Sequence, residues 1–145
     1  MNQIQPNDIG TWFLNFGGGL NSSAVAVEMM KRGYPAPAAV FFADTGVRWI
    51  RKRGKHAGQF VSLEQQCLEH RELPSLAYGN KGCSVKWKAQ PVDAAVKAHP
   101  ATQAAMDRGE RVVRVLGYDA DEPHRWNRSN DTDVWRWWAP LGQWD

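Results

Sequence analysis

The stretch from Thr11 to Gly33 constrains the fold more than any other part of the chain. Trp12, Phe13 and Leu14 form a continuous apolar run of the kind buried on both faces of a parallel sheet, so Thr11 to Asn15 reads as a strand. Three adjacent glycines, Gly17, Gly18 and Gly19, lie in the loop from Phe16 to Leu20. Asn21, Ser22 or Ser23 can cap the helix that follows, and Gly33 ends it after Lys31 and Arg32, which suit a helix C-terminus. A strand that empties through glycines into a helix N-terminus makes an anion site: amides point outward, glycine admits a ligand to the backbone, and the helix dipole favours negative charge.

The next segments extend this unit. Gly33 to Pro37 is a connection, and Ala38 to Ala43 reads as a second buried strand ending at Asp44-Thr45-Gly46. Strand, helix and strand over about thirty residues is a βαβ unit with parallel strands. Val47 to Phe60 holds Arg48, Arg51, Lys52, Arg53 and Lys55, with Gly54 and Gly58 against a helix. It reads as a solvated basic loop, or as a contact for phosphates. Ser62 and Gln65 have capping-box spacing, which predicts a helix from Leu63 to about His70. Leu73 to Lys88 is turn-rich and has no clear period; long loops in compact domains often carry function. Pro91 starts a helix reaching Ala98, and Pro100 opens another over Ala101 to Arg108, closed by Gly109. Arg111 to Leu116 reads as a third strand, emptying into Gly117 to Arg125.

These segments predict an α/β fold of three αβα layers around a small, mostly parallel sheet. In such sheets ligands bind outside the carboxyl ends of the strands. Those ends here carry the glycine loop, Asp44-Thr45-Gly46 and Gly117 to Arg125. At 145 residues the chain suits one domain, residues 1–145, with residues 1–10 a loose lead-in and residues 130–145 a tryptophan-rich tail packed on it. Trp135, Trp137, Trp138 and Trp144 in that tail suit core and edge packing, with base stacking or a partner surface beside Arg136 as the alternative.

Composition narrows the function classes. The chain is 43% hydrophobic and 23% charged, and no apolar run approaches the roughly 20 residues of a bilayer span. No signal peptide is visible at the N-terminus, so a cytoplasmic protein without membrane contact is expected. Two cysteines, Cys67 and Cys83, are too few for a disulfide framework or a four-cysteine cluster, and the four histidines lack paired metal spacing. No metal-ligand set is therefore assigned, and no iron–sulfur cluster is expected. The net charge of +3 is compatible with a phosphate-bearing ligand.

The glycine loop is neither a Walker A loop nor a dinucleotide fingerprint, because no Gly-Lys-Ser/Thr follows and the glycines are adjacent. Gly17-Gly18-Gly19-Leu20-Asn21-Ser22 resembles the PP-loop, Ser-Gly-Gly-x-Asp-Ser, of the adenine-nucleotide α-hydrolase-like superfamily. More of the chain resembles its 3′-phosphoadenylyl-sulfate (PAPS) reductase-like branch, of the short phage and bacterial type. Asp44-Thr45-Gly46 looks like the branch's strand-end motif. Gly82 to Lys88 with Pro91 looks like its Cys-x-x-x-x-Lys-x-x-Pro segment. Gly117 to Arg125 looks like its Gly-x-x-x-x-Glu segment with a trailing Arg, and Pro140-Leu141 with Trp144 like its closing Pro-Leu-x-x-Trp. The match follows the family's order over most of the chain.

The resemblance implies a shortened domain of that fold binding ATP or a related adenine nucleotide, adenylyl sulfate (APS) and PAPS included, with Mg²⁺ as a candidate companion. It implies that Gly17, Gly18, Gly19, Asn21, Ser22 and Ser23 hold phosphates, that Ala43, Asp44 and Thr45 border the adenosine, and that Lys88 adds charge. Lys86, Glu122 and Arg125 then take the catalytic positions, with Glu122 or Asp121 available to Mg²⁺ or a hydroxyl. The reaction implied is ATP-pyrophosphatase-like adenylation linked to sulfur transfer or nucleic-acid modification. The pattern departs from the family at Gly17 for the first serine, Asn21 for the aspartate and Asp119 for an arginine, and it is short between Thr45 and Ser62. It also lacks the C-terminal cysteine tail of true reductases. These departures motivate a second expectation, a catalytically silent binding or assembly module, nucleic-acid-associated or part of a homo-oligomer or larger complex. A sulfonucleotide reductase using Cys83 is the third.

Overall fold

In the computed structural model, residues 4–43, 49–50, 53–54, 57–71, 85–118, 120–121 and 130–144 are described. In chain order the elements are β1 (Trp12–Phe16), α1 (Leu20–Lys31), β2 (Ala39–Phe42), β3 (Trp49–Ile50), β4 (Phe60–Val61), α2 (Leu63–His70), a π-helical turn (Val85–Ala89), α3 (Gln90–Ala98), α4 (Pro100–Asp107), β5 (Val112–Leu116) and β6 (Trp135–Trp138), with short 3-10 turns at Pro6–Asp8 and Pro140–Gly142. They divide into two compact units, Met1–Phe42 with Ala95–Asp145, and Ala43–Ala94.

The first unit is a mixed α/β layer structure. Its four strands run in the order β2-β1-β5-β6, and every pairing is parallel. Trp12, Phe13 and Leu14 are all buried, as a central strand requires. Alternation sends Trp12 and Leu14 to one face with Val113, Val115 and Trp138, where Val25 and Met29 of α1 close the core. Phe13 turns to the other face, where its ring lies 5.6 Å from Phe41 and 5.1 Å from His99. His99 caps α4, its Nδ1 accepting the Ala101 N–H at 3.2 Å. The buried Thr102 hydroxyl is satisfied by the Val96 carbonyl at 2.6 Å. One helix thus packs on each face of the sheet.

Helix ends follow the glycines. Gly33 (φ 76°) and Gly109 (φ 72°) turn the chain into the left-handed region after α1 and α4. The Tyr34 and Glu110 amides then return to the Met29 and Ala105 carbonyls.

Four expectations are corrected. The lead-in is not loose: Ile4 and Ile9 are core residues, and the Tyr34 hydroxyl donates to the Ile4 carbonyl. β2 is not buried, because it is an edge strand and its burial alternates, with Val40 and Phe42 exposed. The tail contains a strand, β6, on the far side of β5. α1 begins at Leu20 with Gly19 as N-cap, so Asn21, Ser22 and Ser23 lie inside its first turn instead of capping it.

The tail's tryptophans take the packing role. Trp138 is buried against Tyr34, its indole N–H donating to Gln143 Oε1 at 2.8 Å. On the opposite face Arg114, only 1% exposed, lies between the rings of Trp135 and Trp137 at 4.7 and 4.1 Å. A planar guanidinium can be stacked this way at low hydration cost.

In the second unit, β3 and β4 form an antiparallel pair, placed where the basic loop was expected. α2 carries the predicted capping box: Ser62 Oγ accepts the Gln65 N–H, and Gln65 Oε1 accepts the Ser62 N–H. The π-helical turn runs directly into α3, so the helix expected at Pro91 starts at Gln90.

Candidate functional site

The connection leaving β1 crosses through α1 on one face, and the chain returns to β5 from α4 on the other. The order β2-β1-β5 therefore switches direction between β1 and β5, the place where open parallel sheets bind ligands. Leu116, the last residue of β5, lies opposite Asn15, one residue short of the end of β1. Beyond β1 comes Gly17-Gly18-Gly19, all exposed; beyond β5 comes Gly117.

Gly117 explains how the two ends meet. A Cβ on it would stand 2.7 Å from the Ser22 nitrogen, 2.8 Å from Ser22 Cα and 2.9 Å from the Asn21 carbonyl carbon. All three atoms are backbone, so only glycine lets the end of β5 touch the first turn of α1. Gly18 has φ 72°, and a Cβ there would lie 3.1 Å from the Phe42 ring. The end of β2 thus closes on the loop from its other side.

The loop is tied down by its own carbonyl. Gly19 O accepts the Ser23 N–H at 3.2 Å, the Ser22 hydroxyl at 2.9 Å and the Ser23 hydroxyl at 3.2 Å. Gly19 brings no side chain to cap α1. The first-turn amides of a helix have no intrahelical acceptor, and they are the groups an anion would meet. Just before the loop, on the sheet face away from α1, Asn15 Oδ1 is buried without a hydrogen-bond partner among the described residues. An unpaired buried acceptor costs about 1–3 kcal/mol, and such costs gather at functional sites.

Of the residues proposed from sequence, Gly17, Gly18, Gly19, Asn21, Ser22 and Ser23 are brought together in this loop and turn. Ser22 is buried, Asn21 half-buried and Ser23 exposed. Ala43 follows β2 and is half-buried, and Lys88 is exposed in the π-helical turn; both belong to the second unit. Lys86 lies in that turn, but its side chain is outside the described residues, as are Asp44, Thr45, Cys83, Glu122 and Arg125. Among the described residues no group of three or more His, Cys, Asp or Glu side chains is placed to hold a metal, and no helix is long and apolar enough to cross a membrane. Sequence reasoning passed over Asn15 and Phe42. A lone polar residue in an apolar strand was the available signal for the first.

No protein-family model, curated protein or solved structure matches the chain.

Proposed function

We propose that the glycine loop and the first turn of α1 hold the phosphates of an adenine nucleotide, as the PP-loop resemblance implies. The observation that carries this is the approach of Gly117 to Asn21 and Ser22, which sets a helix N-terminus with glycine at its N-cap and an exposed glycine loop at the switch point of the sheet. Adenylation of an acceptor with release of pyrophosphate is the reaction class such a site serves. With Asn21 in place of the family's carboxylate, binding is the step the residues support best.

A single substitution separates phosphate binding from folding. Gly19 has extended backbone, φ −97° and ψ 174°, and a Cβ there meets nothing within 4 Å. Asp is a preferred N-cap, so Gly19→Asp keeps or slightly raises stability while putting a carboxylate where the phosphate would sit. The wild-type chain should gain about 2.7 kcal/mol of stability at ATP concentrations a hundredfold above Kd, read as a rise in Tm. Gly19→Asp should melt normally without ATP and lose that rise. Unchanged melting of the wild type with ATP, APS and PAPS, each with Mg²⁺, overturns the proposal.

A further inference from the structure

The two edges of the first unit's sheet are treated differently. Along β6, residues 135 and 137 turn their backbone outward, and the chain covers them itself: Thr132 Oγ1 accepts the Trp135 N–H, the Thr132 N–H goes to the Trp135 carbonyl, and Asp131 Oδ1 accepts the Trp137 N–H at 2.9 Å. Along β2 the Ala38 N–H bonds to the Trp12 carbonyl, so by alternation residues 38, 40 and 42 face β1 while Ala39 and Phe41 point their N–H and C=O outward. Among the described residues nothing pairs with that outer side. Ala39–Phe42 contains no proline and no charge, the usual devices that blunt an edge.

The side chains beside this edge are apolar and in water. Val40 and Phe42 share the α1 face of the sheet, being in register with Leu14 and Phe16, and are 53% and 59% exposed. On α1, Met30 is 79% exposed and lies about a quarter turn from the core-facing Met29. Val40, Phe42 and Met30 leave on the order of 350 Å² of apolar surface open, the size of the largest patches on soluble proteins, which are often functional. A standard interface covers about 800 Å² per partner, so these side chains would form the apolar part of one side of a dimer and the outward backbone of β2 its polar part.

We propose that two copies of the chain pair through β2, antiparallel about a two-fold axis at Val40. The backbone pattern selects this register. With Val40 opposite its symmetry mate, Ala39 faces the partner's Phe41 and Phe41 the partner's Ala39. Both are then hydrogen-bonded pairs that use every outward N–H and C=O, and Val40 becomes the closely spaced non-hydrogen-bonded pair. The two sheets join into one of eight strands, and the exposed rows of Val40 and Phe42 meet across the axis. The proposal is independent of nucleotide binding.

Sedimentation velocity of the full chain from micromolar to about 0.1 mM should show a monomer–dimer equilibrium. Val40→Lys sets like charges face to face, and Met30→Lys charges the exposed flank of α1 at a position where folding tolerates it. Each should weaken the dimer by about tenfold or more with unchanged circular dichroism. Val40→Cys in a Cys67→Ser, Cys83→Ser background should form an intermolecular disulfide under mild oxidation, because close non-hydrogen-bonded pairs suit its geometry. A chain monomeric throughout that range overturns the proposal, as does a dimer that ignores the Lys substitutions or fails to cross-link through residue 40. Should Val40→Lys not fold, Met30→Lys and the cysteine variant decide it.

Discussion

At the scale of single residues, Gly117 and Tyr34 hold the first unit together in different ways. Gly117 is a contact without a side chain. Gly117→Ala puts a methyl 2.7 Å from a backbone nitrogen that cannot rotate away, so β5 or α1 must shift. A loss of about 2 kcal/mol in urea unfolding is expected, within the range for overpacked cores. A loss below about 0.5 kcal/mol, typical of surface changes, rules out the close approach. Tyr34 is the opposite case, a buried ring whose hydroxyl ties the lead-in to the core through the Ile4 carbonyl. Burial raises its pKa above the ordinary value, against the pull of nearby Arg32. The stability it supplies is fully present below the unfolded-state value of about 10 and is lost as pH climbs through the higher folded value. Tyr34→Phe should therefore cost about 1–2 kcal/mol at pH 7, and the gap from wild type should narrow in alkaline melts. A gap constant from pH 7 to above 10 excludes ionisation as its source. Gly117 was visible in the sequence as a glycine at a strand end. That it touches Ser22 was not, because the contact joins residues nearly a hundred positions apart.

At the scale of elements, what was legible is what local chemistry decides. α2 agrees with its expected span because its capping box is written within four residues. The ends of α1 and α4 agree to within one or two positions because glycine alone turns left-handed at little cost. β1 was legible from its unbroken apolar run, and β5 from Val112, Val113 and Val115, valines favoured in strands that outweigh the arginine among them. β6 was not. Trp135–Trp138 has an arginine in its middle, and its strand character comes from pairing with β5 and from the indoles that flank Arg114. The two-residue strands β3 and β4 are too short to show a period at all. β2 was read as buried from its composition, Ala-Val-Phe-Phe, which is the same for a central strand and an unprotected edge. The glycine loop was legible as a loop at a helix start. Its cap was misassigned because three good capping residues follow a glycine that takes the position itself.

At the scale of the whole chain, the sheet is built from two segments separated in sequence. β1, α1 and β2 come before the second unit, and α4, β5 and β6 come after it. Nearly all buried apolar side chains of the described residues lie in these two segments; Val61 and Trp87 are the ones in Ala43–Ala94. Stability follows buried apolar area, so the two units should not share one protection level. Hydrogen exchange is expected to be slowest in β1 and β5, whose amides open only with the whole first unit, and faster in β4 and α2. The glycine loop stands on β1 and β5, so nucleotide should slow exchange at β1 and at the start of α1. It should leave α2 unchanged if the phosphates meet only the first unit. Uniform protection across both units would mean one cooperative body. Protection by nucleotide concentrated in α2 would move the binding site into Ala43–Ala94, away from the switch point.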